Sequence, residues 1–203
     1  MTPLLSIKQL STRHVGPLDL ELAAGECLTL AGPSGSGKTL LLRAITDLDP
    51  HQGEVLLEGK SCRSMCAHAW RKQVGLLPAE SQWWLERVGE HFSEVEAGCL
   101  AELGFEPKVM DWEVARCSTG ERQRLALLRL LQNHPRVLLL DEPTASLDAK
   151  NVARVEALIA RLRREWGLAV IWVSHDAEQV ARVGSRHLHF DGNGQLHEGV
   201  GQW

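Results

Sequence analysis

The chain opens with short segments in which apolar and polar residues alternate. Residues 4–10 and 18–22 show this alternation, and the β-rich residues 27–31 follow them after a glycine-containing turn. A period of two places one face of a strand on a core and the other face on solvent. The pattern therefore predicts a small antiparallel β layer at the start of the domain.

The middle of the chain changes from strand-like to helix-like spacing. A glycine-rich segment precedes a predicted helix that runs to about residue 47, and strands are predicted near residues 55–58 and 74–77. Beyond residue 80, apolar residues recur three or four positions apart, before a break at Gly104 and Pro107. These apolar residues are Leu85, Val88, Phe92, Val95, Cys99 and Leu103. Such spacing is typical of an amphipathic helix, so residues 80–117 are predicted to form a compact helical insertion.

The last third alternates between helices and strands. A helix ends before Pro135, and the almost wholly apolar run VLLL follows it, as in a strand that is buried on both faces at the centre of a parallel sheet. A helix over about 149–166, a strand over 168–173, a short helix and a hairpin turned at 191–194 complete the pattern. This alternation predicts one α/β domain over 1–203, with its core in 1–79 and 118–203.

Composition narrows the classes of partner. The chain has 203 residues, 22 basic and 26 acidic, for a net charge of -4, so it lacks the basic excess that binds nucleic acid. Its apolar runs are far shorter than the roughly 20 residues that cross a bilayer, and its start does not resemble a secretion signal. We therefore expect a cytoplasmic protein without a membrane span of its own.

Cysteine and histidine residues do not form a convincing metal-binding motif. The five cysteines are irregularly spaced and are expected to be reduced. Cys62, Cys66 and His68 lack a nearby second pair of ligands that would complete a tetrahedral site. His187 and His189 lie two apart in a predicted strand, where solvated positions are the simpler interpretation.

The strongest chemical signal is a glycine-rich loop between a predicted strand and a predicted helix. Its residues are Gly32, Pro33, Ser34, Gly35, Ser36, Gly37, Lys38 and Thr39, which fit the Walker A pattern. Glycines let backbone amides approach phosphate oxygens closely, and the helix start adds a positive dipole end. Lys38 is predicted to reach the β- and γ-phosphates, and the Thr39 hydroxyl is predicted to ligate Mg²⁺.

Two adjacent carboxylates follow the apolar run VLLL. Asp141 and Glu142 are placed at the carboxyl end of a predicted buried strand, where sheets of this kind bind ligands. Asp141 suits the hold on Mg²⁺, and Glu142 suits the orientation of an attacking water. The pair predicts nucleotide hydrolysis, whereas the Walker A loop alone does not choose among kinases, GTPases and ATPases.

With these motifs in order, the chain resembles the nucleotide-binding domain of ATP-binding cassette proteins. Ser118, Thr119, Gly120 and Glu121 resemble the family's signature sequence LSGGQ, with departures at three positions: Cys117 for leucine, Thr119 for glycine and Glu121 for glutamine. Ser118 and Glu121 also form the capping-box pattern of a helix start. Residues 145–148, ending in Asp148, resemble the D-loop, and His175 resembles the switch histidine.

The resemblance implies an architecture and a reaction. It implies a P-loop NTPase, RecA-like core, bound ATP and Mg²⁺, and a catalytic set of Lys38, Glu142 and His175. It also implies a head-to-tail homodimer in which Ser118, Thr119, Gly120, Glu121 and Asp148 meet ATP bound to the opposite copy. Most single-domain members drive a separate transmembrane permease, so we expect a cytoplasmic transporter subunit held at the inner membrane through that permease.

Two positions depart from the family's nucleotide contacts. Members usually stack adenine on an aromatic residue, and the matching region here offers His14, whose imidazole could stack or could be a plain surface group. The family's Q-loop glutamine is replaced by Ala79. Glu80 or Gln82 could supply the missing oxygen toward Mg²⁺, and Glu80 is favoured for its charge and adjacency.

Other functional classes are weaker alternatives. A soluble cassette ATPase acting in DNA repair, translation or iron-sulfur assembly usually carries tandem cassettes, coiled coils or basic segments. A P-loop kinase or GTPase would leave the signature and switch motifs as coincidences.

The adjacent Trp83 and Trp84 cannot both face one core stripe, so at least one is predicted to be exposed and available to dock a membrane partner.

Overall fold

The computed structural model describes residues 3–191 and 194–199, and the middle of the hairpin turn predicted over 191–194 falls outside them. Two sheets form the framework. The first is antiparallel, with strand order β2-β1-β4-β5. Its strands are β1 (Leu5–Ser11), β2 (Leu18–Leu22), β4 (Gln52–Leu57) and β5 (Lys60–Ser61). The alternating residues near the start therefore do form an antiparallel layer, as predicted: β2 buries every second residue, and the buried residues of β1 include Leu5, Ile7 and Leu10.

The second sheet has six strands in the order β10-β9-β3-β8-β7-β6. Its strands are β3 (Cys27–Ala31), β6 (Val74–Leu77), β7 (Val137–Asp141), β8 (Ala169–Val173), β9 (Arg186–Phe190) and β10 (Leu196–Glu198). All pairs are parallel except β9 with β10. Every residue of β3, β7 and β8 is buried. The sheet centre lies at β3 and β8, whereas the sequence pattern placed it at β7, which is interior but next to the edge strand β6.

Helices cover both faces of this sheet. They are α1 (Lys38–Ile45), α2 (Ala67–Gln73), α3 (Ala97–Glu102), α4 (Thr119–Leu131), α5 (Ala149–Trp166) and α6 (Ala177–Val183). Two apolar clusters result: one joins the antiparallel layer to α1 and one face of the sheet, and the other joins α4, α5 and residues 88–117 to the opposite face. Among the described residues, no helix is both long and apolar enough to cross a membrane.

The segment 80–117 is less helical than its apolar spacing predicted. It contains α3 and three short 3-10 turns, and residues 80–88 follow an irregular path. The reason is visible at His91, whose Nε2 accepts the backbone N–H groups of Trp84 at 3.2 Å and Leu85 at 3.1 Å. His91 Nδ1 lies 3.0 Å from the carbonyl of Arg87. These amides are therefore satisfied by an imidazole instead of helical carbonyls.

Candidate functional site

A cleft of about 260 Å³ opens at the carboxyl edge of the parallel sheet. It lies where β3, β7 and β8 end, and it collects residues that are up to about 140 positions apart in the chain. The residues that line it are Ser34, Gly35, Gly37, Lys38, Thr39, Leu40, Ala79, Asp141, Glu142 and His175. The fold thus brings the predicted phosphate loop, both carboxylates and the predicted switch histidine to one place.

Glycine is required at Gly37, where the loop turns into α1. Gly37 has φ 101°, in the left-handed region that favours glycine. A Cβ built on it would lie 2.2 Å from Cγ2 of Val15. The loop therefore packs directly on the turn that carries His14 and Val15. The buried Oγ of Ser36 has no hydrogen-bond partner among the described residues, so this loop holds an unused polar group.

Lys38 spans the loop from the first turn of α1. Its Nζ donates hydrogen bonds to the carbonyls of Gly32 and Pro33, each at 2.8 Å. Burial lowers the pKa of Lys38, and the carboxylates of Glu142 and Asp141 oppose that change. The ammonium group is thus held between the loop backbone and two carboxylates, where an anionic ligand would meet it.

Thr39 and Asp141 form a pair of oxygen ligands of the kind that Mg²⁺ prefers. The Thr39 hydroxyl donates to Oδ2 of Asp141 at 2.7 Å. Asp141 ends β7 and is only 5% exposed. A hydroxyl and a carboxylate on rigid elements fit a magnesium ion that keeps several of its waters.

Glu142 has a strained backbone and an unsatisfied side-chain oxygen. Its φ is 48°, which is rare for a residue with a side chain. His175 Nε2 lies 3.4 Å from Oε1 of Glu142, close enough for a charge interaction, yet Oε1 accepts no hydrogen bond from the described residues. Burial raises the pKa of Glu142, Asp141 raises it further, and His175 and Lys38 oppose the rise. The result is a carboxylate that is more basic than usual and free to orient a water.

The signature-like residues lie outside this cleft. Ser118 and Glu121 form the predicted capping box: Ser118 Oγ accepts the Glu121 N–H at 3.2 Å, and Glu121 Oε2 accepts the Ser118 N–H at 2.8 Å. Ser118 and Thr119 are exposed, and Gly120 lies close against Ser146 and Leu147 of the D-loop-like turn. A side chain at position 120 would strike that turn, so glycine keeps the two motifs together.

Three further predicted residues occupy peripheral positions. Asp148 is exposed and caps α5 by accepting the N–H of Asn151 at 2.9 Å. His14 is exposed, and its backbone lies beside the phosphate loop. Glu80 is exposed and does not line the cleft, whereas Ala79 does. The contacts of His14 with adenine and of Glu80 with Mg²⁺ stay predictions.

Two buried glutamines support the cleft, and sequence reasoning did not assign them a role. Gln123, 4% exposed, donates to the Pro78 carbonyl at 2.9 Å and accepts from the Ser81 hydroxyl at 2.7 Å, which ties α4 to the segment carrying Ala79. Gln179, 2% exposed, donates to Oγ1 of Thr144 at 3.0 Å and so anchors the turn after Glu142. The burial of Gln179 could have been predicted, because this polar residue lies four positions before Val183 on the apolar face of α6.

Proteins with related sequences include some that are named as ATP-binding proteins of import or export systems. The chain matches the ABC transporter family over residues 15–145. It is 30% identical over 197 residues to "Probable iron export ATP-binding protein FetA" of Escherichia coli (strain K12), covering 88% of each chain. It is 33% identical over 197 residues to "Methionine import ATP-binding protein MetN" of Protochlamydia amoebophila (strain UWE25), covering 88% of this chain and 58% of that one.

A relative is also found in a plant. The chain is 36% identical over 179 residues to "Protein STAR1" of Oryza sativa subsp. japonica, covering 82% of this chain and 52% of that protein. It therefore spans little more than half the length of two of these curated relatives.

Solved structures with the same fold include an ATP-binding cassette in a dimeric, post-hydrolysis state bound to ADP and Pi. That likeness has a TM-score of 0.80 at 24% identity and covers 98% of this chain and 100% of that one. The structure of an ATP binding subunit of an ABC transporter matches with a TM-score of 0.87 at 20% identity, covering 97% and 89%. These likenesses confirm the expected P-loop NTPase fold, and with the sequence match they place the chain: it belongs to the ABC transporter family.

Proposed function

We propose that this chain binds and hydrolyses ATP and thereby powers a separate transmembrane permease. The observation that carries the proposal is the convergence of Lys38, Thr39, Asp141, Glu142 and His175 on one cleft at the carboxyl edge of the sheet. The match to the ABC transporter family supports the same function, as do two relatives that are named as an import and an export ATP-binding protein.

The cleft binds the triphosphate through the loop and the first turn of α1. Lys38 leaves the carbonyls of Gly32 and Pro33 to contact the β- and γ-phosphates, and the loop amides with Ser36 Oγ supply neutral donors. Thr39 and Asp141 fit Mg²⁺ because their oxygens already lie side by side. When bound, this ion neutralises charge on the β- and γ-phosphates.

Hydrolysis depends on a water placed between Glu142 and the γ-phosphate. The raised pKa of Glu142, caused first by burial, makes its carboxylate a better proton acceptor. His175, 3.4 Å away, orients that carboxylate and contacts the γ-phosphate. The strained backbone of Glu142 is consistent with a side chain held in position for this task.

A second copy completes the site. Ser118, Thr119, Gly120 and Glu121 do not line the cleft of their own chain, and Ser118 and Thr119 are exposed at the amino end of α4. The amino end of a helix suits the γ-phosphate of ATP bound to an opposing copy, and the Ser118 hydroxyl would turn to that phosphate from Glu121 Oε2, to which it donates at 2.8 Å. Asp148 is exposed at the start of α5 and directly follows Ser146 and Leu147, against which Gly120 packs, so we expect it on the same face of the proposed homodimer.

Co-purification distinguishes a transporter subunit from a soluble cassette ATPase. The tagged chain, extracted from its native source in mild detergent, should retain a polytopic membrane protein and should hydrolyse ATP faster in its company. ATP hydrolysis with recovery of a cytosolic partner alone would favour the soluble class, and absence of hydrolysis would contradict the whole proposal.

We expect Trp84 to contribute to docking of that permease. Trp84 is 69% exposed and the neighbouring Leu85 is 42% exposed, whereas Trp83 is half-buried. The Arg129 guanidinium lies over both indole rings, at 4.4 Å from that of Trp83 and 4.7 Å from that of Trp84, so Trp84 presents its other face to solvent. Burying an indole contributes strongly at interfaces, so Trp84→Ser should weaken recovery of the permease about tenfold or more. Basal hydrolysis should not change. Leu48→Ser is the matched control, since Leu48 is 44% exposed and lies outside this segment; equal losses in both variants would contradict docking through Trp84.

We expect Glu80 or Gln82 to replace the oxygen that Ala79 lacks. Both are exposed and follow Ala79, which lines the cleft, so a small backbone shift could bring either toward Mg²⁺ through a water. Glu80→Ala or Gln82→Ala should then raise the Mg²⁺ concentration needed for half-maximal hydrolysis, and Ala79→Gln should lower it. If all three variants match the unaltered protein, the site works without this contact.

A further inference from the structure

Three potential metal ligands meet at the far end of α1 from the nucleotide cleft. The ligand atoms of Asp47, His51 and Cys62 all lie within 4.8 Å of one another. Asp47 follows the end of α1, His51 precedes β4, and Cys62 follows β5. Because α1 begins with Lys38 and rises about 1.5 Å per residue, this cluster is roughly 12 Å along the helix from the phosphate loop. It therefore belongs to a different part of the molecule.

His51 presents a buried nitrogen that no described residue contacts through a hydrogen bond. Its Nδ1 lies 3.3 Å from the carbonyl oxygen of Asp49, which can only accept, so Nδ1 carries the proton. Its Nε2 is buried and has no hydrogen-bond partner among the described residues. A backbone carbonyl that orients a histidine through one nitrogen, while the other nitrogen remains available, is the usual support of a metal-binding histidine.

The sulfur of Cys62 is buried and lies near backbone hydrogen-bond donors. The residue is 1% exposed. Burial and the carboxylate of Asp47 raise the pKa of its thiol, while Arg63 and the backbone N–H groups of Val55 and Arg63 oppose the rise. The amides would thus stabilise a thiolate once a cation offsets its burial.

Asp47 completes the set with a half-buried carboxylate. Arg71 donates to the backbone carbonyl of Asp47 at 3.1 Å and not to its carboxylate. Asp47 has φ 54°, a left-handed conformation that aspartate and asparagine tolerate better than most residues. The backbone therefore turns at Asp47 in a way that directs this carboxylate to His51 and Cys62.

We propose that Asp47, His51 and Cys62 bind one zinc ion, with water as the fourth ligand. Thiolate, imidazole and carboxylate are all zinc ligands, whereas a thiolate and an imidazole are poorly suited to Mg²⁺ or Ca²⁺. Tetrahedral zinc holds such atoms roughly 3.3–3.6 Å apart, so the side chains need to move inward by only about 1 Å. The bound ion joins the end of α1 to the antiparallel layer.

Neighbouring residues provide a matched control. Cys66 and His68 lie close in sequence to Cys62, but both are exposed and neither belongs to the cluster. A zinc site built on Cys62 therefore predicts sensitivity at Cys62 and indifference at Cys66 and His68. Exposed histidines such as His197 could bind a metal nonspecifically, but they cannot produce a sulfur-to-metal signal.

The test uses the full chain without a histidine tag, stripped of metal by a chelator and then desalted. Titration with Co²⁺ should give one equivalent with a thiolate-to-cobalt charge-transfer band and intense tetrahedral bands, and Zn²⁺ should displace it. Zinc should raise Tm by about 5 °C or more at concentrations well above its Kd. Cys62→Ser should abolish the sulfur band, and Cys66→Ser with His68→Ala should retain it.

Because Cys62 is buried, Cys62→Ser could fail to fold, and two further variants test the site without changing Cys62. Asp47→Asn keeps the left-handed turn, and His51→Gln keeps the polarity of a half-buried position. Each should weaken Zn²⁺ binding about tenfold or more, while the metal-free proteins keep the circular dichroism of the unaltered chain. Absence of a sulfur band, its loss in Cys66→Ser, or equal Zn²⁺ affinity in all variants would overturn the proposal. ATP hydrolysis is not part of this readout, so the proposed function is tested separately.

Discussion

Replacement of Glu142 by glutamine should reduce steady-state ATP hydrolysis about a hundredfold or more while leaving ATP affinity within a few-fold of its original value. The amide preserves the shape of the carboxylate but cannot accept a proton from water. Binding should persist because Lys38, Thr39 and Asp141, the residues proposed to contact the phosphates and Mg²⁺, are unchanged. Measurement of hydrolysis and of ATP binding on the same preparation separates the two effects.

The matched control is Glu178→Gln, which removes an exposed carboxylate from the first turn of α6, close in sequence to His175. It should retain full hydrolysis. With ATP bound but not cleaved, Glu142→Gln should also accumulate a dimer at saturating Mg-ATP, visible as a doubled mass. Undiminished hydrolysis in Glu142→Gln would rule out the assigned role of Glu142.

The raised pKa of Glu142 adds a pH dependence. Burial raises this pKa above the ordinary glutamate value of 4.5, so protonation begins at a higher pH than for an exposed glutamate. Because only the carboxylate can accept a proton, hydrolysis should fall as pH decreases through that raised pKa. The acid limb of the unaltered protein's kcat/KM profile, which reports the free enzyme, should therefore lie above the ordinary glutamate range, and it should disappear from the residual activity of Glu142→Gln.

Motifs that are contiguous in sequence were predictable, because their local chemistry fixes their meaning. The loop from Gly32 to Thr39 needs glycines, a lysine and a hydroxyl in order, and Asp141 with Glu142 follows an apolar strand. Parallel strands place their carboxyl ends at one edge, so their convergence followed from the α/β alternation. The same reasoning predicted the capping box at Ser118, which the structure confirms.

Features created by tertiary contacts were not predictable from spacing. Apolar spacing after residue 80 indicated burial correctly for Val88 and Cys99, but it could not show that His91 would accept the amides of Trp84 and Leu85. Cys62 was considered beside Cys66, its neighbour in sequence, whereas folding places it with Asp47 and His51. Candidate ligands that come from the end of α1, the residue before β4 and the residue after β5 leave no regular interval in the sequence.

Replacement of Gly37 by alanine should destabilise the protein by about 2–4 kcal/mol and reduce ATP hydrolysis about a hundredfold. The new Cβ would lie 2.2 Å from Cγ2 of Val15, whereas carbon atoms in contact normally lie about 3.5–4.0 Å apart. The φ of 101° adds strain that alanine does not tolerate. The loop must therefore shift by more than about 1 Å, which displaces the start of α1 and with it Lys38 and Thr39.

Gly35→Ala separates the two causes of this loss. Gly35 also has a positive φ, 80°, but a Cβ there meets nothing within 4 Å, so its substitution adds backbone strain without a collision. Its effect should be clearly smaller. Val15→Ala combined with Gly37→Ala removes the methyl group that collides and should recover a large part of the stability and ATP hydrolysis lost in the single variant. Thermal unfolding and steady-state ATP hydrolysis of the four proteins, the unaltered chain included, provide the comparison. Equal defects in Gly35→Ala and Gly37→Ala, with no recovery in the double variant, would mean that the contact between the loop and Val15 does not hold the phosphate loop in place.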